Sequence, residues 1–299
     1  MSLRHTIEDV CFRYYRIAGR LLIKYSRNPR PDSAPYISGD GFRSIAQHVF
    51  DNTNPTVDGA TIQEGDIVFI GDSLTKQFIE QVNPNISARY ILITHIGDAT
   101  ITQDLFDKID DKLIKWYGIN VEYSHQKIVP LPLGIENKHF FVNGIPALFN
   151  YVRRKTVAKR NKIFYGFTVA AHPTERGAAL KNIQMNPHGE TVTTWRGFLF
   201  YLLILNTYKL VLSPPGSSEE GHRTWDTMYI GSVPIVKSSI TTEYFKSIGV
   251  PLITIEDWQE LAKFDTTYIQ DVFAKTRENH NPETLTLEYW VQKIKNCES

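Results

Sequence analysis

The alternation of apolar and polar positions changes period many times along the chain, and each change marks a short element. Apolar runs bounded by Gly, Pro, Asn or Asp predict strands at 66–71 (DIVFIG), 90–94, 129–133, 162–167, 210–212, 233–236 and 251–255. Helical spacing predicts helices over 42–50, 73–81 (capped by Asp72 or Ser73), 105–117, 174–180 and 195–204. A turn-rich connection at 138–150 leads into a basic helix around 151–159. From 258 to 295 the pattern is helical, with a break near Asn281-Pro282. Strands alternating with helices predict mostly parallel sheets covered by helices on both faces. Because the series stops near 138 and restarts near 162, the expected architecture is α/β, with two Rossmann-like halves facing a cleft. The expected segments are 1–35, 36–145, 146–257 and 258–299, the last packing back on the first half.

The first segment has its own periodicity. Arg13, Arg16, Arg20, Lys24 and Arg27 form a basic stripe, and Cys11, Tyr15, Ala18, Leu22 and Tyr25 lie opposite. The apolar face is expected to pack on the domain with the arginines in water. Peripheral contact with an anionic membrane surface is the alternative.

Composition narrows the class. At 299 residues, 42% hydrophobic and 22% charged, the chain is long enough for two modest domains of ordinary globular type. A net charge of +1 gives no reason to expect nucleic acid as a partner. No apolar run reaches membrane-spanning length and no signal-peptide core is visible, so a cytoplasmic location is expected. Cys11 and Cys297 have no metal-ligand spacing and fit a reducing compartment.

The most informative stretch is LVLSPPGSSEEGHRTWDTMYIGSVPIV, 210–236, which reads as strand, loop, helix, strand. Ser217 or Ser218 is expected to cap the helix, with Glu219 and Glu220 in its first turn. A helix N-terminus presents unpaired N–H groups and partial positive charge, and Arg223 adds a planar fork of donors. Together these suit a nucleotide diphosphate.

The segment also resembles the donor-site region of exostosin-like inverting glycosyltransferases, including the type similar to ribitol xylosyltransferases. Ser213, Pro214, Gly216, His222, Arg223, Trp225, Gly231 and Pro234 carry that resemblance. YISGDGFRSIA (36–46), ITHIGDATI (93–101), PLPLGIEN (130–137) and FYGFTVAAHPTER (164–176) extend it in order along the chain. The resemblance implies a GT-B fold, a nucleotide-diphosphate sugar as donor, a glycan or lipid-linked acceptor, inversion at the transferred carbon, and no obligatory metal or other cofactor.

Sugar transfer requires stabilisation of the leaving phosphate, a base for the acceptor hydroxyl, and orientation of the sugar. Arg223 leads for the phosphate, with Arg176, Gly216, Ser213 and Thr168 on the same side. Glu219 or Glu220 suits a ribose or sugar hydroxyl, and His222 a phosphate or the sugar. His95 and Asp98, in the loop after the 90–94 strand, are the candidate bases, with Asp72 weaker. The acidic cluster 107–111 is expected inside a helix and not as a metal site. A glycan-binding protein that kept the fold without catalysis is the alternative. A fucosyltransferase-like reading is disfavoured by His222-Arg223-Thr224-Trp225, and an oxidoreductase by the lack of Gly-x-Gly-x-x-Gly after the first strand.

Overall fold

The computed structural model describes residues 3–109, 111–192 and 197–297, with side chains from Tyr14 onward. The apolar runs form two five-stranded parallel sheets. The first contains β1 (His48–Phe50), β2 (Ile67–Gly71), β3 (Tyr90–His95), β4 (Leu113–Gly118) and β5 (Ile128–Pro130), side by side in chain order. The second contains β6 (Arg160–Phe164), β7 (Gly189–Glu190), β8 (Tyr208–Leu212), β9 (Val233–Lys237) and β10 (Ile253–Ile255), in the order β7-β6-β8-β9-β10. The helices are α1 (Leu3–Lys24), α2 (Gly39–Arg43), α3 (Thr75–Gln77), α4 (Gln103–Phe106), α5 (Pro146–Arg153), α6 (Pro173–Met185), α7 (Phe198–Leu205), α8 (His222–Tyr229), α9 (Ile240–Ser247), α10 (Thr266–Glu278) and α11 (Leu287–Lys295).

Strand order explains what covers each face. Parallel strands laid down in sequence and joined by right-handed crossovers carry every crossover on one face. The β1–β5 sheet obeys this rule. Val68, Ile70, Leu92 and Trp116 pack against connection residues such as Ile62, Phe78, Val82 and Phe106. The other face, with Phe69, Ile93 and Tyr117 in register, has no crossover of its own. Tyr36 and Phe42 cover it from before the sheet, and Leu287, Trp290 and Ile294 of α11 from the far end of the chain. Leu287 N–H donates to the Pro35 carbonyl at 3.0 Å, and the Tyr117 hydroxyl to the Lys293 carbonyl at 3.1 Å. The last helix therefore crosses back to the first half, and the chain has the GT-B-like arrangement of two parallel α/β halves around a cleft.

The second sheet has a switch point. After β6 the chain steps outward to β7 and then returns to the other side of β6 for β8. Accordingly α6 packs Ala179 and Ile183 on one face, while α7 packs Leu202 and Leu205 on the other. Such a reversal opens a crevice beyond the carboxyl ends of the two strands. The halves also share one buried core, which runs from Phe69 and Ile93 through Tyr36, Phe149 and Tyr229 to Phe164 and Val211.

Several elements differ from the sequence expectation. Residues 113–117, expected within a helix, belong to the strand β4, because β3 and β5 offer backbone partners on both sides. Only Gln103–Phe106 of that stretch is helical, so Asp107 lies past the helix end and not inside it. The 42–50 helix is instead α2 followed by β1. The short β7 and helix α9 had no expected counterpart. The expected start of α7 at Trp195 lies outside the described residues.

The N-terminal helix departs from its expected orientation, although Tyr15 still packs on the Phe141 ring. Gly19 is buried against the Phe141 ring, and the Arg16 and Arg20 guanidiniums donate to the carbonyls of Phe141 and Phe140. The apolar positions Tyr14, Ile17, Leu21, Leu22 and Tyr25 face outward. Cys11 and Arg13 belong to the stretch whose side chains are not described, and Cys297 is a free thiol. Among the described residues no helix is long and apolar enough to cross a membrane.

Candidate active site

Two adjoining cavities fill the cleft. One, of about 690 Å³, lies at the switch point of the second sheet, bounded by Gly166, Phe167, Thr168, Arg176, Tyr201, Arg223 and Asp226. The other, of about 400 Å³, lies between the loops after β3 and β8 and is bounded by Gly39, Asp98, Phe140, Gly216 and Ser218. Glu136, Arg176 and His222 line both.

The larger cavity is cationic. Arg176 and Arg223 flank the Phe167 ring, their guanidinium carbons 6.0 and 5.9 Å from its centroid. Arg176 is held by backbone oxygens, donating from Nε to Pro215 at 2.7 Å and from Nη1 to Thr168 at 2.9 Å. Burial, with the like charge of Arg223 beside it, lowers its pKa. Arg223 Nη1 is buried without a hydrogen-bond partner. An unpaired donor on a charged group costs several kcal/mol unless an acceptor arrives. The N-terminus of α8 adds to this demand, since Gly221 occupies its cap position and no side chain closes it. The site thus offers two guanidiniums and a bare helix N-terminus to an anion.

That cap corrects the sequence expectation. Neither Ser217 nor Ser218 caps α8, and Glu219 and Glu220 precede the helix. Glu220 is buried and ties the halves together, accepting from the backbone N–H of Leu133 and, at 3.0 Å, from Trp225 Nε1. Burial pushes its carboxyl up to about 8. Glu219 faces the start of α9, where it accepts from the Ser239 hydroxyl at 3.5 Å, and burial raises its pKa too. Glu220 lines the smaller cavity but has both oxygens engaged, and Glu219 lines neither cavity. Ser213 is buried with its hydroxyl bonded to Thr224 at 2.9 Å, so it braces the loop and does not face the ligand space.

Other expected residues do reach the cleft. Thr168 lines the larger cavity, and Gly216 lines the smaller, where a Cβ would stand 2.8 Å from Arg176 Nη2. The Nδ1–H of His222 donates to the Gly134 carbonyl at 2.8 Å, a tautomer inferred from the network, so Nε2 is left as an acceptor. Burial lowers the pKa of this histidine, with the bond to Gly134 opposing.

The two candidate bases part company. His95 is 1% exposed and both ring nitrogens are committed, Nε2 to the Pro132 carbonyl at 3.1 Å and Nδ1 to the Ile96 N–H at 2.8 Å. Burial holds its pKa at about 4, and although the ring lines the smaller cavity, neither nitrogen is left over to take an acceptor proton. Asp98 stands exposed at the smaller cavity. Its Oδ1 takes the Ser218 hydroxyl at 2.7 Å across the cleft, and among the described residues nothing donates to Oδ2. Asp72 lies buried beneath the same loop and accepts from Ala99 N–H at 2.9 Å, so it positions Asp98 and does not face the cavity.

Sequence reasoning missed Glu136, Tyr201 and Asp226. Glu136 organises its own loop by accepting from the Asn143 N–H at 2.7 Å. Asp226 is bonded to Tyr201 and sits near Arg223; burial raises its pKa well above the ordinary value, with Arg223 opposing. The i to i+3 spacing of Arg223 and Asp226 on one helix was the available signal. Among the described residues no group of three or more His, Cys, Asp or Glu is gathered as metal ligands.

Residues 180–296 match the family model described as the RXYLT1 C-terminal domain. This stretch runs from within α6 to the end of α11 and includes Arg223. No curated protein matches the chain. Solved structures similar to it include the spinosyn rhamnosyltransferase SpnG complexed with thymidine diphosphate, at 13% identity and TM-score 0.36, covering 77% of this chain and 68% of that one. A glycosyltransferase from Rickettsia africae ESF-5 is similar at 11% identity and TM-score 0.37, covering 78% and 76%. The GtfA/B complex is similar at 11% identity and TM-score 0.38, covering 79% and 58%.

Proposed function

We propose that this protein is a glycosyltransferase that moves a sugar from a nucleotide-diphosphate donor to an acceptor hydroxyl, with inversion and without a metal. The observation that carries the reading is the buried, partnerless Nη1 of Arg223 beside Arg176 at the switch point of a parallel sheet. The match of residues 180–296 to the RXYLT1 C-terminal domain supports sugar transfer as the chemistry.

In this reading the donor diphosphate lies in the larger cavity between Arg176, Arg223 and the first N–H groups of α8. The acceptor, a glycan or a lipid-linked sugar, enters the smaller cavity. Asp98 Oδ2 takes the proton of its hydroxyl while that oxygen bonds to the anomeric carbon. The bond from that carbon to the phosphate oxygen breaks, and its electron pair leaves with the diphosphate, where the two arginines stabilise the new charge. One base on the face opposite the leaving group accounts for inversion. His222, through Nε2, accepts from a sugar hydroxyl at the junction of the cavities.

A thermal-shift panel of sugar nucleotides and nucleoside diphosphates, with and without a chelator, tests this reading. One sugar nucleotide should raise the midpoint whether or not the chelator is present. Arg223→Ala should abolish that shift and reduce donor turnover about a hundred- to a thousandfold while the fold stays intact. A flat panel, together with binding of a free glycan, would favour the non-catalytic glycan-binding alternative.

A further inference from the structure

The described part of α1 has two distinct faces. Arg16, Gly19 and Ile23 follow helical spacing and turn toward the body, where the two arginine contacts and the Gly19–Phe141 packing fix the rotation of the helix. Opposite them is an apolar face. Tyr14, Ile17, Leu21 and Tyr25, spaced three, four and four residues apart, are 71%, 58%, 51% and 78% exposed, and Leu22 beside them is 72% exposed. Beside them stand the exposed Lys24 and, past the helix end, Arg27, while Arg20 is tied to the Phe140 carbonyl. From Tyr14 to Arg27 there are four basic residues and no acidic one.

A stripe of five large apolar side chains left in water is costly and marks a surface that meets something. Its charge says what. From Tyr14 to Arg27, an apolar face edged by cations matches the interface of an anionic bilayer, where the side chains enter the headgroup boundary and the cations meet lipid phosphates. A self-complementary contact would bring these basic residues of two copies toward each other, which disfavours a second copy of the chain.

We propose that α1 and the residues just after it dock this protein onto anionic membrane surfaces through Tyr14, Ile17, Leu21, Leu22 and Tyr25, with Lys24 and Arg27 on the lipid phosphates. The docking has a consequence for the cleft. The segment on which α1 rests includes Phe140, which is 49% exposed and lines the cavity shared with Asp98. A helix is about 10 Å across, so a bilayer under α1 lies close to the mouth of that cavity. This consequence rests on the sugar-transfer reading and assigns the acceptor to the lipid-linked class. Membrane docking itself does not depend on that reading.

Co-sedimentation of the full chain with vesicles, without any sugar donor, is the test. Vesicles of phosphatidylcholine containing about a third phosphatidylglycerol should carry the protein down, pure phosphatidylcholine far less, and rising salt should release it. Leu21→Glu with Leu22→Glu should lower vesicle affinity at least about tenfold, with the melting temperature unchanged because both positions are exposed. Lys24→Gln and Arg27→Gln should each weaken binding to the anionic vesicles about fivefold and leave the weak binding to neutral ones alone. Wild-type protein that stays in the supernatant at low salt overturns the proposal, as does binding indifferent to the Leu21/Leu22 pair. A dimer that this pair dissolves, with no vesicle binding, assigns the face to a second copy and equally overturns it.

Discussion

At the scale of single residues, the cleft separates groups that bind from groups that brace. Asp98 keeps one carboxylate oxygen free of any described donor in the smaller cavity, while His95 three residues earlier is buried with both nitrogens occupied. Asp98→Asn should therefore cut acceptor-dependent transfer about a hundredfold or more and leave the donor-induced thermal shift unchanged. His95→Gln should act on stability and not on that shift. Glu220 supplies a test by pH. Its ordinary value lies near 4.5 and its folded value at about 8. Between these the folded protein holds a proton that the unfolded chain has released, so stability falls as pH rises through the window and levels off above it. Melting temperature measured from pH 5 to 8 should decline in the wild type and be flatter in Glu220→Gln. Asp51 acts on the acid side. Its bonds to Thr53 and Arg43 outweigh burial and hold its pKa at about 2, so its stabilising contribution is lost as pH falls from 4 toward that value.

At the scale of elements, the loop after β5 is tightly constrained at Gly134. Gly134 has φ +70, and a Cβ there would stand 2.2 Å from the Ile37 carbonyl oxygen. Its own carbonyl holds His222. Gly134→Ala combines left-handed strain with a backbone clash and should destabilise the fold by about 2 kcal/mol or more, read from denaturant unfolding. Much of this level was legible in sequence. Short apolar runs bounded by breakers located most strands of both sheets, because buried parallel strands need apolar residues on both faces. Residues 113–117 escaped because LIKWY satisfies helical spacing as well, and only pairing with β3 and β5 decides between the two. The start of α8 escaped for a related reason. Ser217, Ser218 and the two glutamates form a good capping sequence, but Glu220 is drawn away to the Leu133 N–H and the helix starts after it.

At the scale of the whole molecule, the two halves are joined by more than a hinge. Tyr36 from before the first sheet stacks edge-on to Tyr229 of α8 at 4.8 Å between centroids, and α11 closes the uncovered face of the first sheet. One shared core predicts one cooperative unfolding transition by calorimetry, with calorimetric and van't Hoff enthalpies in agreement. Trp290 is fully buried against Phe245 and donates to the Thr284 carbonyl at 2.9 Å. Trp290→Ala should cost about 3–5 kcal/mol and lower that single transition as a unit; two resolved transitions would mean that the halves fold independently.

Sequence alone determined the α/β class, the restart of the strand series, and the arginine with its helix in the segment 210–236. Those features are local, written in hydrophobic period and in the chemistry of a few neighbouring side chains. Tertiary structure decided which of the acids and histidines are free. Glu219, Glu220, His95 and Ser213 suit a ligand by residue type, yet each is bonded to a partner far from it along the chain or enclosed by strands from elsewhere. It likewise decided that α1 turns its apolar face to solvent, because Gly19 fits against Phe141 where a larger side chain would not. A side chain's identity sets what bonds it can make, and the fold sets which of them are already made.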